Sequence, residues 1–506
     1  MTGAPPALAA LRQRLRAVAE VVLIDPPAPT ADPAQDAATL LSALVNLARA
    51  SSRADHAWLL HSAVSGHLPL SDDVEDLQRH LQLARDTTEA EIWLLGRARE
   101  AIAENGQMHL PVRVITDAVI VDVSYGAQYD KHTGIQRVTR EVCARWKVSH
   151  DLTLTAWLPG GTALRSLVTR EEARVLAWSG RGGSDLDDVT SPPEIEDDDG
   201  ASLTVVIPWR CTVVLPEVAQ GRTSQPLAAL ALHSGNAVVA IGYDAIPVVS
   251  ADLRPTAEPN QFVGYLTVLK HSRRIACISS SAAAEFRGFA DAARAQGIPG
   301  PDVTEILLAA EVPQEPAHDP DIAPRAPSLV CVGSHEPHKN HLAVLHAAEL
   351  CWRDGLDFDL TFVGGPGWDS SEFDARLSAL AESGRAVTKL GSVTEGELWS
   401  LYRRASFTVF PSLHEGFGLP VAESLACGTP AVTTRYGSTA EIAERGGCLL
   451  INPRDDHELA GAMHSLLTDA DLYATLKEQA ASSVGRTWDT YAAELWAFLV
   501  DDGADT

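Results

Sequence analysis

Positive charge is scarce in this chain. Lysine and arginine number 40 against 67 aspartates and glutamates, a formal net charge of −27. A nucleic-acid binder needs a basic face to displace counterions from phosphates, so that class is excluded as an expectation. The same field opposes docking on anionic lipid and leaves membrane contact peripheral at most. An anionic substrate must be caught by a local exception to the overall charge.

Cysteine is sparse and unpatterned. Cys143, Cys211, Cys277, Cys331, Cys351, Cys427 and Cys448 form no C-x-x-C pair. An odd, scattered set argues against a disulfide framework or a structural zinc site, and for a reducing compartment. Most sit in apolar runs and read as small core residues. The sequence has no run of roughly 18 apolar residues able to span a bilayer. It shows no signal-peptide order at its start. Its seventeen histidines show no metal-ligand spacing such as H-E-x-x-H. The expectation is a cytoplasmic protein with no metal or other cofactor.

What is present is a globular composition, 45% hydrophobic and 21% charged. At 506 residues the chain exceeds one ordinary core, so two or three domains are expected.

Residues 1–112 read as a helical extension. Apolar stripes recur at helical spacing in Leu8, Leu11, Leu15 and Val18, in Leu40, Leu41, Leu44 and Leu47, and in Val74, Leu77, Leu81 and Ala84. Thr88-x-x-Glu91 reads as a capping box opening a fourth helix through Ile92 and Leu95. A Pro-rich stretch from Pro26 to Pro33 separates the first two helices. Arg12, Arg14 and Arg16 read as a solvated helix face, with a membrane-surface helix as the rival.

From Ala118 the pattern changes to short apolar runs alternating with helices, the mark of βα units on a parallel sheet. Strands are predicted at Ala118–Val123, Leu152–Trp157, Leu203–Ile207, Ala237–Ile241 and Ile275–Ile278. A helix is predicted at about Gln136–Arg145. An acidic insert at 180–200 reads as a loop. It contains Asp185-Leu-Asp187, a formal Asp-x-Asp taken here as solvated charge. Pro-rich sequence from Pro313 to Pro327 divides this region, 113–312, from a second alternating region, 325–485. Strands there are predicted at Leu329–Val332, Leu360–Val363, Ala386–Leu390, Phe407–Phe410 and Ala431–Thr433. Residues 486–506 hold a last amphipathic helix.

The strongest chemical signal is the segment Pro411–Pro430, containing His414-Glu-Gly-Phe-Gly-Leu-Pro-Val-Ala-Glu423. It runs strand, glycine loop, helix. Gly416 and Gly418 let a ligand approach the backbone closely. The unpaired N–H groups and dipole at the helix start favour an anion such as a diphosphate. Glu415 and Glu423 would then face neutral hydroxyls on either side. The second signal is Val332-Gly-Ser-His-Glu-Pro-His-Lys-Asn340, where Lys339 follows a strand and a tight loop as a point charge suited to phosphate.

These two blocks, with Glu415-x7-Glu423, resemble the retaining family-four glycosyltransferases. The likeness covers about residues 115–500. It implies an α/β GT-B fold, two Rossmann-like domains facing a cleft, with the helical region added at the N-terminus. It implies that Glu415 contacts the donor sugar and Glu423 the ribose hydroxyls. Gly416, Phe417, Gly418 and Leu419 would line the sugar and diphosphate, and Lys339 would take the diphosphate. The family often adds an arginine after the glycine that ends this strand. Here Ser334 follows Gly333, so binding leans on Lys339 and backbone amides. Ser392-Val393 matches the segment that cradles the base.

In the first half, Thr133-Gly-Ile-Gln-Arg-Val138 resembles the family's glycine loop, with Gly134 facing the cleft. Tyr243-Asp-Ala-Ile-Pro247 resembles its His-Asp-x-Ile-Pro strand end, with tyrosine where many members have histidine. Asp244 is a candidate acceptor-side or sugar-side carboxylate, and a turn-capping aspartate is the competing reading. Ile278-Ser-Ser-Ser281 matches a region leading into the interdomain crossing. His335, His338 and His414 lie near the implied site.

The resemblance implies a retaining hexosyltransferase moving a sugar, with GDP-mannose favoured, from a nucleotide sugar to a glycan, lipid-linked or small-molecule acceptor in a bacterial polysaccharide pathway. A non-catalytic nucleotide-sugar binder and a two-domain sugar phosphorylase are the alternatives. Acceptor and oligomeric state are not legible.

Overall fold

The computed structural model describes residues 6–105, 109–130, 133–177, 203–219, 221–312, 326–482 and 485–501. The acidic insert 180–200, with its Asp-x-Asp, and most of the Pro-rich stretch 313–327 lie outside them.

Two mainly parallel sheets carry the chain. The first holds β1 (Val112–Thr116), β2 (Val119–Asp122), β3 (Leu152–Trp157), β4 (Leu164–Ser166), β5 (Val205–Trp209), β6 (Thr212–Leu215), β7 (Ala237–Gly242), β8 (Arg274–Cys277) and β9 (Asp302–Glu305). Their order is β1-β5-β4-β3-β2-β6-β7-β8-β9, and among the described residues only the β4 pairings are antiparallel. The second holds β10 (Ser328–Val332), β11 (Asp359–Val363), β12 (Val387–Leu390), β13 (Phe407–Phe410), β14 (Ala431–Thr434) and β15 (Cys448–Ile451), in the order β12-β11-β10-β13-β14-β15. That is a doubly wound sheet whose topological switch point lies between β10 and β13, where such sheets open a ligand crevice. With helices over both sheets, the fold is the expected α/β, two-domain arrangement with a helical N-terminal region.

Several short strands escape the sequence reading. β6 lies only two residues beyond β5, across Arg210 at φ 55°, so one apolar stretch holds two strands. β9, Asp302-Val-Thr-Glu305, is an edge strand with a polar sequence. β4, the antiparallel strand, is three residues long.

Among the described residues the helical region contains five helices, Pro6–Val22, Pro33–Ser51, Ala54–Ser65, Ser71–Leu83 and Thr87–Asn105. Three expectations fail there. Thr88 lies inside the last helix; the Glu89 amide bonds Asp86, and Glu91 accepts from Ser42. No Thr88–Glu91 box forms, because Glu91 serves a tertiary contact instead. That helix buries Ala90, Leu94 and Ala98, whereas Ile92 and Leu95 face solvent, so the stripe sits one residue out of phase with the one expected. Finally, Arg14 is 1% exposed and donates to the Ala63 and Val64 carbonyls at the end of the Ala54–Ser65 helix. Arg12 and Arg16 pair with Asp36. Arg14 thus satisfies orphan carbonyls that a helix end leaves behind, and it is not part of a solvated face.

One apolar core joins these helices to the first sheet, running from Leu44 and Trp58 to Val206 and Val239. A separate core fills the second domain around Leu329, Phe362, Phe407 and Met463. The final helix, Trp488–Leu499, returns to the first domain. It packs on the Gly134–Ser149 helix, where Trp146 donates to the Ala492 carbonyl at 2.8 Å and meets the Trp496 ring at 5.3 Å. None of the seven cysteines forms a disulfide, and five are buried.

Candidate functional site

The glycine loops set the site's shape. Gly333 ends β10 at φ 149°, and a Cβ on Gly364 would stand 2.1 Å from the Gly333 carbonyl. The loops after β10 and β11 therefore press backbone to backbone, which only glycine permits. Beyond Gly333 a short turn, Pro337–Lys339, ends at Asn340 in the left-handed region, φ 59°. The Asn340 side chain holds that turn by donating to the Pro453 carbonyl at 2.7 Å.

The turn aims Lys339 at the loop after β13. Its Nζ donates to Glu415 Oε1 at 2.6 Å and lies 5.4 Å from the Phe410 ring centre. Both side chains are mostly buried. The Glu415 carbonyl accepts from Ser438 Oγ at 2.9 Å. Ser334 donates to Glu336 at 3.1 Å, and Glu336 also pairs with Arg254 from the first domain and lies 3.3 Å from His338 Nδ1. An arginine thus serves this loop, but it comes across the cleft and it binds a carboxylate.

Gly418, at φ 104°, caps the helix Leu419–Ala426, and a Cβ there would meet Thr439 at 2.8 Å. Phe417 is buried in the core shared with the first domain. Leu419 faces Gly134, whose Cβ position is 3.5 Å from its Cδ1. Val393 turns its side chain into a small cluster with Val330, Val363 and Ala405.

The first domain meets this loop closely. Ser279 donates to the Gly416 carbonyl at 2.6 Å. A Cβ on Gly416 would stand 2.4 Å from the Tyr243 carbonyl and 3.1 Å from Asp244 Oδ2. Asp244 accepts the Ile246 amide at 3.1 Å, so it caps its turn, yet it also borders the glycine loop. Burial above all lifts its carboxyl to about 6, with Glu285 and Glu415 adding to the rise and the Ile246 amide and His414 opposing it. Tyr243 points away into the core, its hydroxyl donating to the Pro216 carbonyl at 2.7 Å. It fills space and takes no place at the cleft. His414 bridges the domains, with Nε2 2.7 Å from Glu285 and Nδ1 2.8 Å from Ser250.

Glu423 is not open to solvent. It is 3% exposed, its Oε1 paired with Arg137 and its Oε2 accepting from the Tyr402 hydroxyl at 2.9 Å. Burial holds its carboxyl above the ordinary range despite these two donors. Arg137 was invisible to sequence reasoning as a site residue: its partner lies 286 positions away, in the other domain.

The site thus gathers Lys339, Glu415, Gly416, Asp244 and His414 at one point, and Gly134, Leu419, Glu423 and Arg137 at another. Among the described residues no group of three His, Cys, Asp or Glu side chains is placed to hold a metal ion. No helix among them is long and apolar enough to cross a membrane. An open groove of about 730 Å³ on the second domain, lined by Leu342, His346, Glu372 and Arg376, shares Asn340 with the site loops and none of its charged groups.

Comparison with known proteins agrees with this architecture. Residues 317–483 match the family described as glycosyl transferases group 1. The serotype-specific mannosyltransferase WbdA of Escherichia coli is 26% identical over 348 residues, covering 65% of this chain and 39% of that protein. A D-inositol 3-phosphate glycosyltransferase of Acidothermus cellulolyticus is 38% identical over 170 residues, covering 32% of this chain and 38% of that one. The chain spans about two fifths of the length of the curated relatives it matches. Among solved structures, Anabaena Alr3699/HepE, in complex with UDP and glucose, aligns with a TM-score of 0.52 at 12% identity over 75% of this chain and 98% of that one. That likeness shows the GT-B fold. The match to the group 1 glycosyltransferase family falls on the second domain.

Proposed function

We propose, from that domain and the site around it, that the chain is a retaining glycosyltransferase moving a hexose from a nucleotide sugar to a hydroxyl acceptor. The observation that carries this reading is the Lys339–Glu415 pair at the switch point, beside the Gly416 loop, with Asp244 of the first domain across the cleft. In a chain of net charge −27, a buried lysine is the local exception that an anionic diphosphate requires.

In this reading Lys339, the Gly416–Gly418 amides and the helix start at Leu419 take the diphosphate, where negative charge grows as the sugar leaves. No metal is assigned a part. Glu415 accepts from sugar hydroxyls, and Glu423 from the ribose. The bond from the anomeric carbon to the phosphate oxygen breaks while the acceptor oxygen attacks the same face. The acceptor's proton passes to the departing phosphate oxygen. Asp244 stands on the acceptor side. Closure of the cleft excludes water and limits hydrolysis.

GDP-mannose is the first donor to try, because mannosyltransferases stand among the relatives in sequence. A UDP-hexose is the second, because the HepE structure was solved with UDP and glucose. The acceptor is proposed to be a glycan or glycoconjugate hydroxyl, and the compartment the cytoplasm.

The test is an NMR time course with each nucleotide sugar and a panel of hydroxyl acceptors. The reading expects an α-linked product from an α-configured donor. An inverted linkage would overturn the retaining assignment, and no transfer to any acceptor, with donor bound, would favour a non-catalytic nucleotide-sugar binder.

A further inference from the structure

Arg137 is an unusual residue. It sits in the second turn of the Gly134–Ser149 helix, 9% exposed, in the first domain. Every partner that follows belongs to another element. Nη1 pairs with Glu423, and Nη2 lies 3.6 Å from Glu395 at the start of the Glu395–Arg404 helix. The guanidinium lies 5.6 Å from the Trp399 ring centre and 5.7 Å from that of Trp488. Trp399 belongs to the second domain, and Trp488 opens the helix that returns to the first. A planar cation close to two indole rings and paired with a carboxylate has few orientations open to it.

The placement has a consequence for Glu423. A carboxylate offers about four lone-pair sites. Arg137 takes one on Oε1 and the Tyr402 hydroxyl one on Oε2, which leaves one site on each oxygen. Two adjacent ribose hydroxyls need two such acceptors. Glu423 must also stay ionised to accept from both, although burial favours its neutral form. Arg137 supplies a cation paired directly with it, and its Nη2, 3.6 Å from Glu395, also offsets that second carboxylate.

We propose that Arg137 is a positioning residue for the nucleoside end of the donor, supplied across the cleft, which orients Glu423 for the ribose hydroxyls and keeps it charged. This rests on the donor-site reading above. It goes further by making nucleoside recognition depend on the first domain. With the domains apart, Glu423 loses its cation. With them closed, the carboxylate that reads the ribose is complete.

The experiment titrates the full chain calorimetrically with UDP, GDP and their 2′-deoxy counterparts. A hydrogen bond to a charged group sets the scale, so wild type is expected to prefer the ribonucleotide by about tenfold or more. Arg137→Gln is expected to weaken ribonucleotide binding and to shrink that preference to about twofold. Arg137→Lys, which keeps the charge without the fork, is expected to recover part of it, and it replaces the glutamine variant should that one fail to fold. Glu423→Gln should erase the preference alone, and combining it with Arg137→Gln should remove nothing further. A structural role for Arg137 lowers both nucleotides alike and leaves the ratio at its wild-type value, which overturns the proposal. If wild type binds none of the four, the donor-site reading itself falls and takes this proposal with it. Binding with an intact ratio in Arg137→Gln sinks only the proposal.

Discussion

Lys339 Nζ rests 2.6 Å from Glu415 Oε1, joining the loops that follow β10 and β13. The two residues have different expected targets, diphosphate and sugar, so substitutions should separate them. Lys339→Met should cut kcat/KM for transfer by roughly 100-fold or more and abolish nucleoside diphosphate binding. Glu415→Gln should cut transfer while leaving diphosphate binding intact, because it frees the lysine. Calorimetry with UDP and GDP on both variants checks this. Equal loss of diphosphate binding in the two would contradict it.

Asp244, lifted to about 6, gives a pH signature. If its charged form serves the acceptor, kcat/KM should rise with pH up to about 6 and level off above. The folded chain holds this proton more tightly than the unfolded one, so ionising Asp244 costs stability as pH climbs from the ordinary aspartate range through 6. Asp244→Asn should remove the inflection from the rate profile. Its survival in that variant would assign it elsewhere.

His414 titrates with the opposite sign. Its hydrogen bond to Glu285, above all, raises its pKa against the effect of burial. The stability from this pair is complete below the ordinary histidine value of 6.5 and lost as pH rises through the raised value. Thermal melts of wild type and Glu285→Gln should therefore converge as pH rises from below 6.5 through the raised value. A constant gap would place the contribution in packing and not in charge.

Gly416 tests how closely the domains must meet. An alanine methyl would stand 2.4 Å from the Tyr243 carbonyl, a backbone atom that cannot swing aside. Gly416→Ala should hold the cleft open, enlarge the radius of gyration in X-ray scattering and lower kcat. Unchanged scattering with full activity would mean that the loop yields.

Arg14 tests whether the helical region is part of the body. Arg14→Met would strand two carbonyls at a buried helix end, a loss of about 2–4 kcal/mol. A melt shifted by less than a degree would contradict the contact.

The site loops were legible because glycine, proline and strand ends punctuate them locally. Lys339 and Glu415 each follow a strand, and the α/β alternation predicts that both strand ends open on one crevice. Other features depend on docking that no local pattern records. Arg137 belongs to the site only because two domains and the final helix converge on it. Tyr243 fills core where a cleft residue was conceivable, a matter of side-chain direction. Arg14 read as solvated because charge on a helix usually faces water, and only the neighbouring helix end makes its burial favourable. Ile92 and Leu95 misled because tertiary packing, not hydrophobicity alone, selects the buried face.

The most direct measurement is release of nucleoside diphosphate from a panel of nucleotide sugars, GDP-mannose and UDP-glucose included, by wild type beside Lys339→Ala and Glu423→Ala. The account predicts that at least one donor stabilises wild type to heat and is slowly turned over, that Lys339→Ala abolishes both effects, and that Glu423→Ala weakens both. Failure of every nucleotide and nucleotide sugar to bind wild type would contradict the donor site, and with it the function drawn from the fold.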